Sequence, residues 1–430
     1  MENTRDTRGT RDTRGTTDRT RYDVVVVGAG AAGLACARDL CETGLRVRLL
    51  EAGDTVGGRM RTDHVAGFTL DRGFQVFNTS YPQVKRRMDL KALRLRPFTP
   101  GVLVHTERGM RRFTDPSRRP RESRDLLPGR LASGRDLLAL TALSARDALA
   151  PASVLRRGAD GTTLDALASA GVSPRLVETF FRPFLSGVFL EDRLETSARF
   201  FHLVWRSMLR GTLCLPAEGI GAVPAQLASR LPQDVLRTGT EVSAVTPEGV
   251  TLTDGREVRS RTVVVATSGP VAAQLLPGLR IPDGRTVTTL YHATARPPLA
   301  EPTLVVDSRR RFLNTCVLTA VQPGFSPDGR ALVSTSVLGS PNPADTNAVL
   351  AALANVYDTN TDDWEPIHRI TIPDALPAMP GPTPLSRTTR WTPGHYVCGD
   401  HRSTGSLQGA LASGAQAART VLTDLRSGVV

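Results

Sequence analysis

Apolar residues change their spacing several times along this chain, and each change marks an element. Val24–Val27 is a run of four valines, which suits a parallel strand covered on both faces. Directly afterwards Leu34, Ala37 and Cys41 recur at helical spacing, and Gly44 stands where that helix ends. Residues 46–52 predict the next strand, and residues 67–74 read as a short strand and turn. Residues 126–155 are leucine-rich and helical, and 200–205 form an apolar stretch. Near the end, residues 396–398 make a short strand. Positions 407, 410, 411, 414, 418, 421, 422 and 425 then carry small or apolar side chains three and four apart, one face of a long terminal helix with Ser406 as its N-cap.

Composition changes this picture little. A chain of 430 residues can hold two or three domains, and no apolar run reaches the length of a membrane span. The formal charge is +12, but lysine occurs only at 85 and 91 and aromatics are sparse. Arginine with abundant Ala, Gly, Pro and Thr fits coding bias better than a nucleic-acid surface, so no nucleic-acid partner is expected. Five cysteines without a CxxC pair, and seven histidines without metal spacing, point to a reduced compartment and no metal. The start of the chain mimics a secretory signal around residues 24–37, but cleavage there would destroy the motif described next, so a cytoplasmic protein is expected. Residues 1–21 repeat Thr-Arg-Asp-Thr-Arg-Gly and are expected to be a disordered tail.

The motif is Gly28-Ala-Gly30-Ala31-Ala32-Gly33, set between the valine strand and the helix. Gly28 permits a sharp turn, Gly30 clears a path for a pyrophosphate, and Gly33 lets helix and sheet approach. The helix start offers free N–H groups and partial positive charge, and Glu51, closing the next strand beside Ala52, is placed to accept from an adenosine ribose. Gly57-Gly58-Arg59 then suggests a second close approach, with a guanidinium for phosphate or ribityl oxygens. Gly73 and Phe74 are candidates for contact with a flavin ring.

A second signature closes the chain. Gly399-Asp400 follows a strand, and Asp400 can accept a ribityl hydroxyl, which NAD lacks. The terminal helix would aim its start at the N1/O2 edge of a flavin, where negative charge gathers on reduction. Gly409, Ser413 and Gly414 on its first turns suggest a close approach. The cofactor implied is FAD.

Together these signatures resemble the flavin-containing amine oxidase superfamily, which includes phytoene desaturases and protoporphyrinogen oxidases. Residues 180–189, 215–224, 240–245 and 372–377 are similar to its central segments, and the third makes Val242 a cofactor candidate. The resemblance implies an α/β fold: a Rossmann-like FAD-binding domain of glutathione reductase type built from 22–100, 216–284 and 379–430, with an α+β substrate domain from 101–215 and 285–378. It also implies non-covalent FAD, held by Gly28, Gly30, Ala31, Ala32, Gly33, Glu51, Ala52, Gly58, Arg59, Gly73, Phe74, Val242, Gly399, Asp400, Ser406 and Leu407. Amine oxidases of this family commonly keep a lysine in the second half of the chain, water-bridged to the flavin, and none exists here after Lys91. Cys398 is expected to fill core.

The activity expected is a two-electron dehydrogenation of a lipophilic small molecule, with hydride passing to flavin N5. An amine oxidase releasing hydrogen peroxide and a non-catalytic nucleotide-binding scaffold are the alternatives. Phe180, Phe181, Phe184 and Phe189 offer an apolar tunnel or simple core. The arginine-dense stretch from Arg108 to Arg135 offers a solvated face or a contact with anionic substrate or lipid. No acid–base residue is assigned: His401 reads as a solvent-satisfied loop residue and His202 as a satisfied core residue. Substrate, electron acceptor, direction of electron flow and oligomeric state stay open.

Overall fold

The computed structural model describes residues 21–114, 119, 121 and 131–430; residues 1–20 of the tail expected over 1–21, and part of the arginine-dense stretch, lie outside the described residues. Val24, Val25 and Val26 are fully buried, as a run covered on both faces requires. Their side chains alternate between two cores. Val24 and Val26 join Leu34, Ala37, Ala418 and Val421 on one side of the sheet, and Val25 and Val27 join Val242, Val250 and Leu275 on the other.

Five parallel strands form the centre of this eight-stranded sheet, in the order Leu236–Arg237, Val47–Leu50, Tyr22–Val27, Glu257–Val265 and His395–Val397. Val26 stands opposite Leu49 on one side and Val264 on the other. Helices Ala31–Cys41 and Leu407–Arg426 pack against each other on the first face. The first half of Glu257–Val265 turns away and pairs antiparallel with Gly249–Leu252, which pairs with Val242–Thr246.

A second sheet has seven strands, in the order Glu365–Pro377, Gly284–Thr294, Ala331–Leu338, Asn314–Val317, Leu304–Asp307, Val102–Thr106 and Gly109–Phe113. All neighbours are antiparallel except Leu304–Asp307 with Val102–Thr106. The chain enters and leaves this region side by side: the Phe98 N–H donates to Leu213 O, and the Ala378 N–H donates to Asp283 O.

Between residues 131 and 210 the chain is helical, with Gly134–Leu149, Ala152–Arg157, Thr163–Ser169, Arg182–Phe189 and Ala198–Arg210 as its α-helices of six or more residues. Of the two roles open to the phenylalanines, tunnel or core, the structure has core. Phe180 stacks on Phe113 at 3.6 Å between centroids and on Phe184 at 5.5 Å, Phe181 meets Trp205, Phe189 meets Phe200, and all four are buried. Mutual burial of these rings satisfies the hydrophobic demand with no ligand.

Candidate cofactor-binding site

The turn out of the first strand is held by backbone. The Gly28 N–H donates to Leu50 O, and φ at Gly28 is +100°, where a side chain would also lie 2.9 Å from Ala266 O. A β-carbon on Gly33 would lie 1.9 Å from Gly28 O, so the helix rests directly on the turn. Gly30 is different. Nothing lies within 4 Å of where its β-carbon would be, and no side chain caps the first turn of the helix it opens. Ala31, Ala32 and Gly33 therefore present a helix N-terminus to a cleared space, a cradle suited to a phosphate. Gly58 flanks it, 3.6 Å from Gly30 Cα measured from its own projected β-carbon, and the Gly57 N–H donates to Ala29 O.

Glu51 closes the neighbouring edge. Its Oε2 accepts from the Ala29 N–H at 2.7 Å and its Oε1 from the Gly53 N–H at 2.9 Å. The carboxylate is only half-buried and keeps free lone pairs, whereas Ala52 beside it is exposed.

The end of the chain meets this turn through backbone as well. Gly399 donates its N–H to Ser413 Oγ at 3.1 Å. A β-carbon on Gly414 would lie 2.1 Å from Ala32 O, and one on Gly409 would lie 1.9 Å from Thr404 O. The small residues of the terminal helix thus make room for protein: Gly414 for the fingerprint helix, Gly409 for the preceding loop, Ser413 for the Gly399 amide. Their expected close approach is real, but the partner is backbone. Ser406 caps the helix as expected, its Oγ accepting from the Gly409 N–H at 3.1 Å, and Leu407 is the first helical residue.

Arg59 joins the two signatures. Its Nη2 donates to Asp400 Oδ1 at 2.6 Å, and its Nη1 donates to Ala375 O at 2.6 Å and Asp374 O at 3.2 Å. The Asp400 carboxylate raises the Arg59 pKa above its ordinary value. Asp400 also accepts from the His401 N–H.

Three placements depend on residues remote in the chain. His401 is buried, not a solvated loop residue, and neither ring nitrogen has a partner. Its ring folds over Gly399, beside a cleft of about 20 Å³ that Arg59, Ser268, Gly269, Asp283 and Asp400 also line. Burial pushes its pKa down to about 4. Sequence reasoning missed this because segments near 269, 281 and 387, remote in the chain, enclose it. Second, a β-carbon on Gly73 would meet Ile372 Cδ1 at 2.9 Å, and the Phe74 N–H donates to Thr289 Oγ1, so both residues abut the second sheet. Third, Asp71 went unnoticed: it is fully enclosed, accepts from Thr62 Oγ1 and the Ile220 N–H, and burial raises its pKa to about 6. The one available signal was an acid closing the alternating segment Phe68-Thr69-Leu70.

Val242 lies in the core at the start of its strand. His202 is satisfied, its Nδ1 2.8 Å from the buried Asp147 Oδ2. Cys398 is buried core, as expected, and lies against Cys36. Among the described residues no cluster of three metal-ligating side chains exists, and no helix is long and apolar enough to cross a membrane.

The cradle at Gly30, the uncapped helix start, the half-free Glu51 carboxylate and the unpartnered His401 ring are features an elongated anionic dinucleotide would fill. Comparison with known proteins agrees. The profile of the flavin containing amine oxidoreductase family matches residues 31–422. Hydroxysqualene dehydroxylase of Rhodopseudomonas palustris is 28% identical over 442 aligned positions, covering 93% of this chain and 98% of that enzyme. Hydroxyneurosporene desaturase of Rhodobacter capsulatus is 47% identical over 55 residues, 13% of this chain and 11% of that enzyme. Other curated relatives share this short overlap, so the chain spans about a tenth of the length of most curated relatives it matches. Among solved structures, cyclohexylamine oxidase from Brevibacterium oxydans aligns with a TM-score of 0.68 at 17% identity, covering 95% of this chain and all of that one, a likeness of fold.

Proposed function

This chain belongs to the flavin containing amine oxidoreductase family, an FAD-dependent oxidoreductase by that membership, and from that premise we propose that it acts on a lipophilic, isoprenoid-like small molecule by two-electron dehydrogenation. The observation that carries the substrate class is the end-to-end similarity to a hydroxysqualene dehydroxylase, an enzyme named for an isoprenoid alcohol. The absence of lysine after Lys91 supports the same choice over an amine oxidase.

Bound FAD would supply a two-electron acceptor. The residues proposed to hold it do distinct work. Gly28, Gly30 and Gly33 shape the turn, and the first-turn amides at Ala31 and Ala32 would face phosphate oxygens. Glu51 offers its spare lone pairs to ribose hydroxyls, with Ala52 and Val242 at the adenine end. Arg59 and Asp400 fix one another, so that the carboxylate is oriented as an acceptor for a ribityl hydroxyl. Gly58, Gly399, Ser406 and Leu407 bring backbone close, and Gly73 and Phe74 line the junction with the second sheet. In this reading 22–100, 216–284 and 379–430 form the FAD-binding domain, and 101–215 with 285–378 form the substrate domain over it.

The name of the end-to-end relative denotes loss of a hydroxyl, which favours a second reading of the same site with electrons running toward substrate. One experiment separates the readings. The purified yellow protein is mixed anaerobically with polyene precursors, isoprenoid alcohols and amines while the flavin spectrum is followed. Bleaching by a saturated or partly saturated isoprenoid supports dehydrogenation. Re-oxidation of photoreduced protein by an allylic alcohol, with no bleaching, supports the reductive direction. Bleaching by amines alone, with peroxide on admitting air, overturns both.

A further inference from the structure

Large apolar side chains are exposed at seven places among the described residues, and the three most exposed fall within one short stretch of sequence: Leu149 at 80%, Leu138 at 75% and Val154 at 57%. Leu138 and Leu149 lie eleven residues apart on helix Gly134–Leu149, almost in line at a helical period of 3.6, with the exposed Ala142 and Ala145 between them. The stripe is about 16 Å long at the helical rise. Val154 is exposed on the next helix, Ala152–Arg157.

The opposite side of this helix is fully employed. Leu143 is buried in the helical core, with Leu137 and Leu140 partly buried beside it. Trp205 Nε1 donates to Ser144 Oγ, and Arg206 Nη1 donates to the carbonyls of Asp147 and Ala148. Internal packing is therefore complete without the outer stripe. A helix apolar on both sides has a second partner.

Charge identifies that partner. Arg135 at one end of the stripe and Arg156 and Arg157 at the other are exposed. The only acids between residues 131 and 157 are Asp136 and Asp147, both buried. Asp136 is spent on the capping box with Ser133 and on the Ser173 N–H, and Asp147 on His202. The outward side of these two helices therefore carries an apolar stripe flanked by the exposed Thr141 and Arg146, has arginines at its ends and offers no exposed carboxylate of its own. A second copy of the chain meeting this face about a two-fold axis would bring the same arginines together, which is repulsive. A nucleic acid would find no aromatic side chain to stack on. An anionic bilayer matches all parts: leucines enter the acyl boundary, and guanidiniums on long stems reach lipid phosphates.

We propose that the outer face of helices Gly134–Leu149 and Ala152–Arg157 is a peripheral docking surface for an anionic lipid bilayer. The proposal does not depend on which reaction the site performs, and its test involves no turnover. The full-length FAD-loaded protein is mixed with vesicles of phosphatidylcholine alone or doped with phosphatidylglycerol, and the bound fraction is read by flotation. The wild type is expected to bind doped vesicles, to bind neutral ones far more weakly, and to lose binding as salt rises. Leu138→Glu with Leu149→Glu, and separately Arg156→Gln with Arg157→Gln, should each weaken binding about tenfold or more. Leu338→Glu, an exposed leucine on the second sheet, should leave it unchanged. A Leu149→Trp variant should be quenched by brominated lipid in doped vesicles. These positions are solvent-facing, so the variants should keep the wild-type melting temperature. Absence of wild-type binding at low salt would overturn the proposal. So would unchanged binding in both double variants, or a wild-type dimer that the leucine pair converts to monomer without affecting vesicles.

Discussion

Replacing Gly414 by alanine tests whether the two cofactor signatures are joined by direct contact between helices. An alanine in a helix interior normally stabilises relative to glycine by about 1 kcal/mol. At Gly414 the new methyl would lie 2.1 Å from Ala32 O and 3.0 Å from Ala32 C, whereas carbon and carbonyl oxygen come no nearer than about 3.3 Å in a favourable contact. Neither atom can swing aside, because Ala32 O belongs to the first turn of helix Ala31–Cys41. The helices must part by about 1 Å, and overpacking of a fitted core costs about 1–3 kcal/mol. With so hard a collision the upper end applies, so the net change is a loss of about 2 kcal/mol after the propensity gain. At roughly 2.1 cal/mol/K of unfolding entropy per residue, a chain of about this length should melt about 2–3 °C lower.

The sign carries the test. Gly134→Ala is the control, since Gly134 begins a helix and has nothing within 4 Å of its projected β-carbon. It should leave the melting temperature unchanged or raise it. Parting the helices also moves the Ala31–Gly33 amides and strains the Ser413–Gly399 hydrogen bond, so the Gly414→Ala protein should bind FAD more weakly, read by flavin fluorescence on titration. A Gly414→Ala protein that melts as high as wild type and binds FAD equally would show that the helices are not in contact at Ala32.

Other perturbations follow from the same geometry. Asp400→Asn removes the charge facing Arg59 and should weaken FAD binding about tenfold, since a hydrogen bond to a charged group contributes about 1.5–3 kcal/mol; titration with FAD measures it. Glu51→Gln can accept from only one of the Ala29 and Gly53 amides and turns an N–H₂ toward the other, so it should lower both FAD affinity and melting temperature. His401 and His292 are buried with pKa values near 4, so below pH 6.5 the unfolded chain takes up their protons first, and stability falls as pH drops from 6.5 to 4. Each contributes about 3 kcal/mol across that window, so His292→Gln and His401→Gln should each flatten the pH dependence of urea unfolding. Asp71 works the other way: its folded pKa near 6 makes the folded state bind a proton as pH falls from 6 to 4, so Asp71→Asn should steepen the acid loss.

The fold was legible where the reason for a residue is local. A valine run buried on both faces, a glycine at a turn, an N-cap serine and a helix with one small-residue face each follow from their neighbours in sequence, and the structure has them at Val24–Val27, Gly28, Ser406 and Leu407–Arg426. Reasons that depend on distant segments were not legible. A stripe of small residues says that something comes close without saying what, and here Ala32 and Gly399 are what meet Gly414 and Ser413. Four phenylalanines at helical spacing suit a tunnel or a core, and only the arrival of Phe113 and Trp205 decides for core. His401 follows Asp400 in a loop, and nothing adjacent reveals that it is sealed from water.

The same distinction explains why the site is built as it is. Arg59 and Asp400 are separated by 341 positions, yet their contact fixes the side chain of each. A guanidinium tied only to its own loop would sample many rotamers, and each would cost conformational entropy when a cofactor arrived. Here that ordering is completed on folding, by one carboxylate from the end of the chain and two carbonyls at Asp374 and Ala375 on the last strand of the second sheet. Arg59 is therefore in contact with both sheets' segments at once, and any shift of the second sheet relative to the first must disturb it. A cofactor lying along the Gly30 cradle would feel such a shift through Asp400, the group its ribityl hydroxyls are proposed to meet.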